Sequence, residues 1–312
     1  MAEVGVQLID VDRRWTWQTS QPSVVVAFPV LPEDKCPVAL FMHGFVIMPN
    51  SYRTMFESIA RKGIIVVAAQ LYTFLDGLLS RVKVEEEATR AEEVIEWVFS
   101  EASGTNSLRG TINQKTPFPN GLTIIAHSRG AAAVMNMVLQ PTRADKPTLK
   151  ALLLLDPVGS IEALDRNPEL PQEMVIFGCK KGTAPKQSSD VYWAKLLDAG
   201  YRPLFIELEH FGHLDFLDEG IKSLARWFAG LFLSSDRDTN RRNDSRNKIS
   251  ELIGIYITAV CGGESAEGVN EAVRTALTPI EDTLGMRIRE APPSLAPSSN
   301  ELEGLRPAYG GA

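Results

Sequence analysis

The stretch "LTIIAHSRGAAAVMNM", residues 122–137, decides how this sequence reads. Leu122, Thr123, Ile124 and Ile125 form an apolar and β-branched run, the mark of a buried strand. Small residues then crowd around a serine: Ala126, Ser128, Gly130, Ala131, Ala132 and Ala133. Close helix–sheet packing accounts for part of that pattern. The order of strand, serine, glycine and helix says more. Ala126-His127-Ser128-Arg129-Gly130 has the small-x-Ser-x-Gly form of a nucleophile elbow, in which the serine sits at the tip of a tight strand-to-helix turn. The pentapeptide is common by chance, so its context must carry the argument.

That context is an alternation of short β-branched runs with segments of helical period, which reads as a mostly parallel sheet with helices on both faces. Eight strands are expected over 4–11, 23–30, 38–44, 64–71, 122–128, 149–157, 173–179 and 203–210, the first two as a candidate antiparallel pair. Helices are expected over 51–63, 83–102, from Ser128 to about Gln140, over 189–199, and over the apolar segments 221–233 and 249–263. Between the last two, "DRDTNRRNDSRNK" (236–248) reads as a solvated loop. Residues 1–288 form one domain, with 221–248 a candidate lid or entrance segment, and the Pro/Ser/Gly-rich 289–312 a disordered tail.

Composition narrows the classes. With 44% hydrophobic and 23% charged residues, the 312-residue chain can bury a large core. A net charge of −7 argues against a nucleic-acid binder, which needs a basic face for phosphates. Cys36, Cys179 and Cys261 lie far apart, without metal-ligand spacing, which predicts a reducing compartment. The N-terminal "MAEVGVQLID" reads as neither secretory signal nor transit peptide, and no run reaches the length of a membrane span. A cytoplasmic location is the expectation; the oligomeric state is left open.

Serine chemistry needs an oxyanion hole, a nucleophile, an acid and a histidine, in that order along this kind of sheet. "FMHGF" (41–45) ends the third strand in a His-Gly turn that would offer the Phe45 N–H. The Arg129 N–H, at the start of the helix after Ser128, would be the second donor. Of four histidines, His43 and His127 read as structural, and His210 as a packing residue at a strand end. His213 follows Gly212, whose freedom permits a sharp turn aiming the imidazole at Ser128. Asp215, Asp218 and Glu219 read as acids in the first turn of a helix, not as metal ligands. Two carboxylates compete for the acid. Asp190 follows the seventh strand but comes late, at a helix start. Asp156 stands at the tip of the sixth strand before Pro157, and is preferred because a strand end holds a side chain firmly.

With these residues placed, the chain resembles the chlorophyllase family of α/β-hydrolases over roughly 20–265. The likeness rests on "FMHGFVIMPNSYRTMFESIARKGIIVVAAQLYT" (41–73), "AHSRGA" (126–131), "LLDPVGS" (154–160) and "FGHLDFLD" (211–218). It implies the α/β-hydrolase fold, Ser128 as nucleophile, Asp156 as acid and His213 as base. It also implies hydrolysis of a long-chain ester, phytol leaving from chlorophyll, with no cofactor and no metal. Two departures bear on this: Ala126 and Ala131 replace the family's flanking glycines, and the segment after the histidine, cysteine-rich in plant members, is here apolar and then polar. The expected partner is therefore a bulky, apolar small-molecule ester, whose identity can differ from the family's. Trp227 and Phe228, on the strongly apolar 221–233 segment, are expected to line the substrate entrance. A lactone or thioester hydrolase, an acyl-transfer or cyclising enzyme, and a non-catalytic binding protein are the alternatives on the same fold.

Overall fold

The computed structural model describes residues 5–12, 23–30, 36–45, 47–72, 82–101, 106–112, 121–138, 147–159, 170–181, 189–218 and 238–290. Its nine strands are β1 (Val6–Asp12), β2 (Ser23–Pro29), β3 (Val38–Met42), β4 (Ile65–Ala69), β5 (Leu122–His127), β6 (Leu149–Leu155), β7 (Glu173–Lys181), β8 (Leu204–Gly212) and β9 (Met286–Arg289). The longer helices are α1 (Arg53–Ala60), α2 (Val84–Phe99), α3 (Gly130–Val138), α4 (Ser189–Asp198), α5 (Thr239–Gly262) and α6 (Ala266–Leu277). All strands join one sheet in the order β1-β2-β4-β3-β5-β6-β7-β8-β9. The six strands from β4 to β8 run parallel to one another; β1, β2 and β9 enter antiparallel.

The central strands β3, β4 and β5 are buried at every position, on both faces of the sheet, because they are almost wholly apolar. Along β5, Ile124 and Ala126 face one core while Ile125 faces the other, as the two-residue period of a strand requires. The same split divides Leu40 and Met42 from Ala39 and Phe41 on β3. Helices α2, α3 and α4 cover the first face, and α1, α5 and α6 the second. The chain leaves β3 for a helix on one face and leaves β5 for a helix on the other. The adjacent ends of β3 and β5 thus form the switch point where such sheets bind ligands. Gly44 and Ser128 stand there.

Three expectations need correction. Among the described residues the sheet has nine strands, not eight: β9 pairs antiparallel with β8 through Phe205–Arg289 to Leu208–Met286. Residues 239–248 are the first turns of α5, not a solvated loop; Asp238 caps them by accepting the Asn240 and Arg241 amides. The expected helix over 249–263 is not separate but continues that same helix to Gly263, which ends it in the left-handed conformation. The remaining strands lie where the sequence puts them, and α6 is an addition. The 221–233 segment and the 289–312 tail lie outside the described residues, apart from Arg289 at the end of β9 and Glu290 after it. Among the described residues, no helix is long and apolar enough to cross a membrane.

Candidate active site

Ser128 occupies a turn of two residues between β5 and α3. Its φ is +56°, in the left-handed region where a non-glycine residue is strained and held by its surroundings. The holding bonds are visible: the Ser128 N–H donates to the Leu155 carbonyl at 3.1 Å, and its carbonyl accepts the Val158 N–H at 3.1 Å. The small residues around it have individual reasons. A Cβ on Gly130 would come within 2.5 Å of the Met42 carbonyl oxygen, so only glycine lets α3 start there. Ala126 and Ala131 are fully buried, and their methyl groups are accommodated at the flanking positions.

His213 begins a single 3-10 turn, His213–Phe216, at the end of β8. Its Nε2 lies 2.9 Å from Ser128 Oγ, and its Nδ1 lies 2.6 Å from Asp156 Oδ2. Asp156, at the tip of β6, also has a positive φ, +41°. Its Oδ1 accepts the Cys179 N–H at 3.1 Å and the Ser189 hydroxyl at 2.6 Å. A carboxylate that only accepts suits all three neighbours, so His213 donates from Nδ1 and leaves Nε2 free to accept the serine proton. The Ser128, His213 and Asp156 side chains are thus brought into one hydrogen-bonded line, buried but for slight exposure at the serine and histidine. Gly212 does not supply the sharp turn expected of it: its φ of −108° is open to any residue.

Asp190 is elsewhere. It lies in the first turn of α4, about half exposed, paired with Arg289 and with Lys180 at 3.7 Å. His210 sits on β8 against Gly285.

The third side of the site is the turn after β3. A methyl on Gly44 would stand 3.2 Å from Ser128 Cβ and 3.0 Å from His127 Nδ1, so the turn abuts the serine directly. Among the described residues, no acceptor is paired with the Phe45 or the Arg129 amide. The Phe45 ring is partly exposed and lies 5.4 Å from the Arg129 guanidinium carbon. Arg129 donates to buried Glu87 at 2.7 Å and to the Val82 carbonyl at 2.9 Å. Burial pushes the Glu87 carboxyl up to about 7 despite the arginine beside it.

Four groups support the site: His43, read from the sequence as structural, and three that were not legible as supports. His43 Nε2 accepts the Leu71 N–H at 3.1 Å and its Nδ1 donates to the Gly44 carbonyl at 3.0 Å, with burial pulling its pKa down to about 4. Asp215 lies in the first turn of the 3-10 helix after β8, as an acid there was expected to, but it is fully buried and accepts the Gly212 N–H at 2.8 Å. Arg242 faces its carboxylate at 3.8 Å, and Arg246 donates to its carbonyl at 2.9 Å. The signal was present: Arg242, Arg246, Ile249 and Ile253 recur along one helix face. Trp227 and Phe228 lie outside the described residues.

Comparison with known sequences finds relatives over most of the chain. The chain is similar to chlorophyllase-1, chloroplastic, of Citrus unshiu, at 23% identity over 82% of this chain and 79% of that protein. It is similar to chlorophyllase-1 of Arabidopsis thaliana at 24% identity, over 74% of each chain. Chlorophyllase-2 of the same plant matches at 20% identity, over 78% of this chain and 79% of that one. The sequence model of the family described as Chlorophyllase matches residues 1–174, more than half of the chain. The chain belongs to the chlorophyllase family.

Proposed function

We propose that this chain has the α/β-hydrolase fold and is a serine carboxylesterase acting on a bulky, apolar ester. The observation that carries the reading is the line from Ser128 Oγ through His213 to Asp156, at 2.9 Å and 2.6 Å. Ser128 Oγ attacks the ester carbonyl while His213 Nε2 takes its proton. The amides of Phe45 and Arg129 donate to the oxyanion that forms, a contribution worth roughly 10²–10³ in rate for one donor. The tetrahedral intermediate collapses, and His213 returns the proton to the leaving alcohol. Water, deprotonated by the same imidazole, then releases the acid from Ser128. Asp156 keeps the Nδ1 proton in place and steadies the imidazolium in both halves. Nucleophile, base and electrophilic donors all come from the chain, so the reaction calls for no cofactor.

The family resemblance suggests chlorophyll, with phytol leaving, as the first substrate to try. The three free cysteines support a reducing, cytoplasmic setting. Trp227 and Phe228 are proposed to meet the apolar part of the substrate. Competition tests the substrate class: a fluorophosphonate labels the protein in the presence of chlorophyll, a phytyl ester, a triacylglycerol, a lactone or a thioester. Protection by the long-chain esters, and not by the lactone or thioester, is expected. Protection by the lactone alone would replace the esterase reading with lactone chemistry.

A further inference from the structure

Tyr52 and His127 stand outside the three reacting side chains, yet both direct their polar atoms to the turns around Ser128. His127 Nε2 lies 3.0 Å from the His213 carbonyl oxygen. That oxygen can only accept, so Nε2 carries the proton and donates. Nδ1 is then unprotonated and accepts the Tyr52 hydroxyl at 2.7 Å. With its proton committed, Tyr52 Oη accepts the Gly44 N–H at 3.3 Å. The direction of every bond is forced, from Gly44 through Tyr52 and His127 to His213.

Each end of this line is a functional position on the reading above. Gly44 precedes the Phe45 amide, and the His213 carbonyl belongs to the residue that carries the base. His127 itself precedes Ser128. We infer that Tyr52 and His127 are positioning residues, which fix the Phe45 amide and the His213 ring relative to each other across Ser128. The inference rests on the proposed Ser128–His213–Asp156 mechanism. Packing alone does not call for this chemistry. Both residues are fully buried; Tyr52 packs between Phe41 and Phe56, and a phenylalanine in its place would fill the same space. A buried hydroxyl and imidazole cost free energy unless bonded, and apolar groups of the same shape serve a core as well.

The test is steady-state hydrolysis of a p-nitrophenyl ester by the full chain carrying Tyr52→Phe, His127→Gln, or both. Tyr52→Phe is expected to lower kcat roughly 10- to 100-fold, the scale of a small misplacement of reacting groups. KM should stay within about threefold, since binding of the ground state is untouched. The double variant should be no worse than the poorer single one, because both substitutions cut one line. Phe56→Leu, which removes an aromatic neighbour of Tyr52 but no polar atom of the line, should lower stability and leave kcat unchanged. A folded Tyr52→Phe protein with full kcat, or an effect confined to KM, would overturn the inference. So would multiplicative losses in the double variant, or an equal kcat loss in Phe56→Leu. If His127→Gln does not fold, Tyr52→Phe and Phe56→Leu decide. Ser128→Ala in the same assay separates the two levels: if it still hydrolyses the ester, the mechanism itself fails, whatever Tyr52→Phe does.

Discussion

The two turns that face each other across Ser128 share the neutral His127, through Tyr52 on one side and directly on the other, but differ in the rest of their supports. The Gly44 turn is held by neutral groups: the His43 and His127 imidazoles and the Tyr52 and Tyr72 hydroxyls. The His213 turn is held by carboxylates and guanidiniums, with Asp156 on the imidazole and Asp215 between Gly212, Arg242 and Arg246. Burial explains the first choice, since it drives both histidines to the neutral form, His127 well below its ordinary range. A neutral dipole can be buried without a counter-ion; a charge cannot. On the proposed mechanism only the second turn acquires a full positive charge, on His213, and the buried carboxylate stands on that side.

The largest expected effect lies on the charged side. Asp156→Asn keeps the shape but favours the wrong histidine tautomer, so kcat near neutral pH should fall roughly 10⁴-fold, about 5 kcal/mol of barrier. Asp190→Asn should stay within about tenfold of the wild type, because it removes only a surface pair. Steady-state rates of the two folded variants check this, and reversed results would move the acid to α4. Next in size is Asp215→Asn, which leaves two buried arginines facing fewer negative charges. Urea unfolding should show a loss of roughly 3–5 kcal/mol, the scale of a broken buried ion pair. An unchanged midpoint would mean that the His213 turn does not depend on its ions.

The smallest effects distinguish a buried base from a buried acid by the sign of their pH dependence. His43 falls from 6.5 to about 4 on folding, so its neutral form stabilises the protein above pH 6.5, and that contribution is lost as pH falls toward 4. Glu87 rises from 4.5 to about 7, so its contribution is present below pH 4.5 and lost as pH rises through 7. Between pH 4.5 and 6.5, wild-type stability relative to His43→Gln should therefore rise with pH, while relative to Glu87→Gln it should fall. Each difference should be on the order of 2 kcal/mol across its window, read from urea midpoints. Slopes of the same sign would contradict the assignment.

The same contrast governs what the sequence reveals. The central strands are legible because strands covered on both faces are continuous apolar runs. Four-residue β9, at the sheet edge, carries no such signal. Ser128, Asp156 and His213 stand at strand tips, where local order and turn residues mark them. Their supports do not announce themselves, since a hydrogen bond such as Tyr52 to His127 joins residues 75 apart. The start of α5 was hidden for a related reason. Its arginines and asparagines look solvated until the buried carboxylate of Asp215 supplies a partner from another element.

The most direct test of the account is where a fluorophosphonate attaches. The protein is labelled at neutral pH, digested, and the adduct located by mass spectrometry, with Ser128→Ala labelled in parallel. The account predicts one adduct, on Ser128, and none on the folded Ser128→Ala protein. An adduct on another residue, or a folded wild type that takes no label, would contradict it.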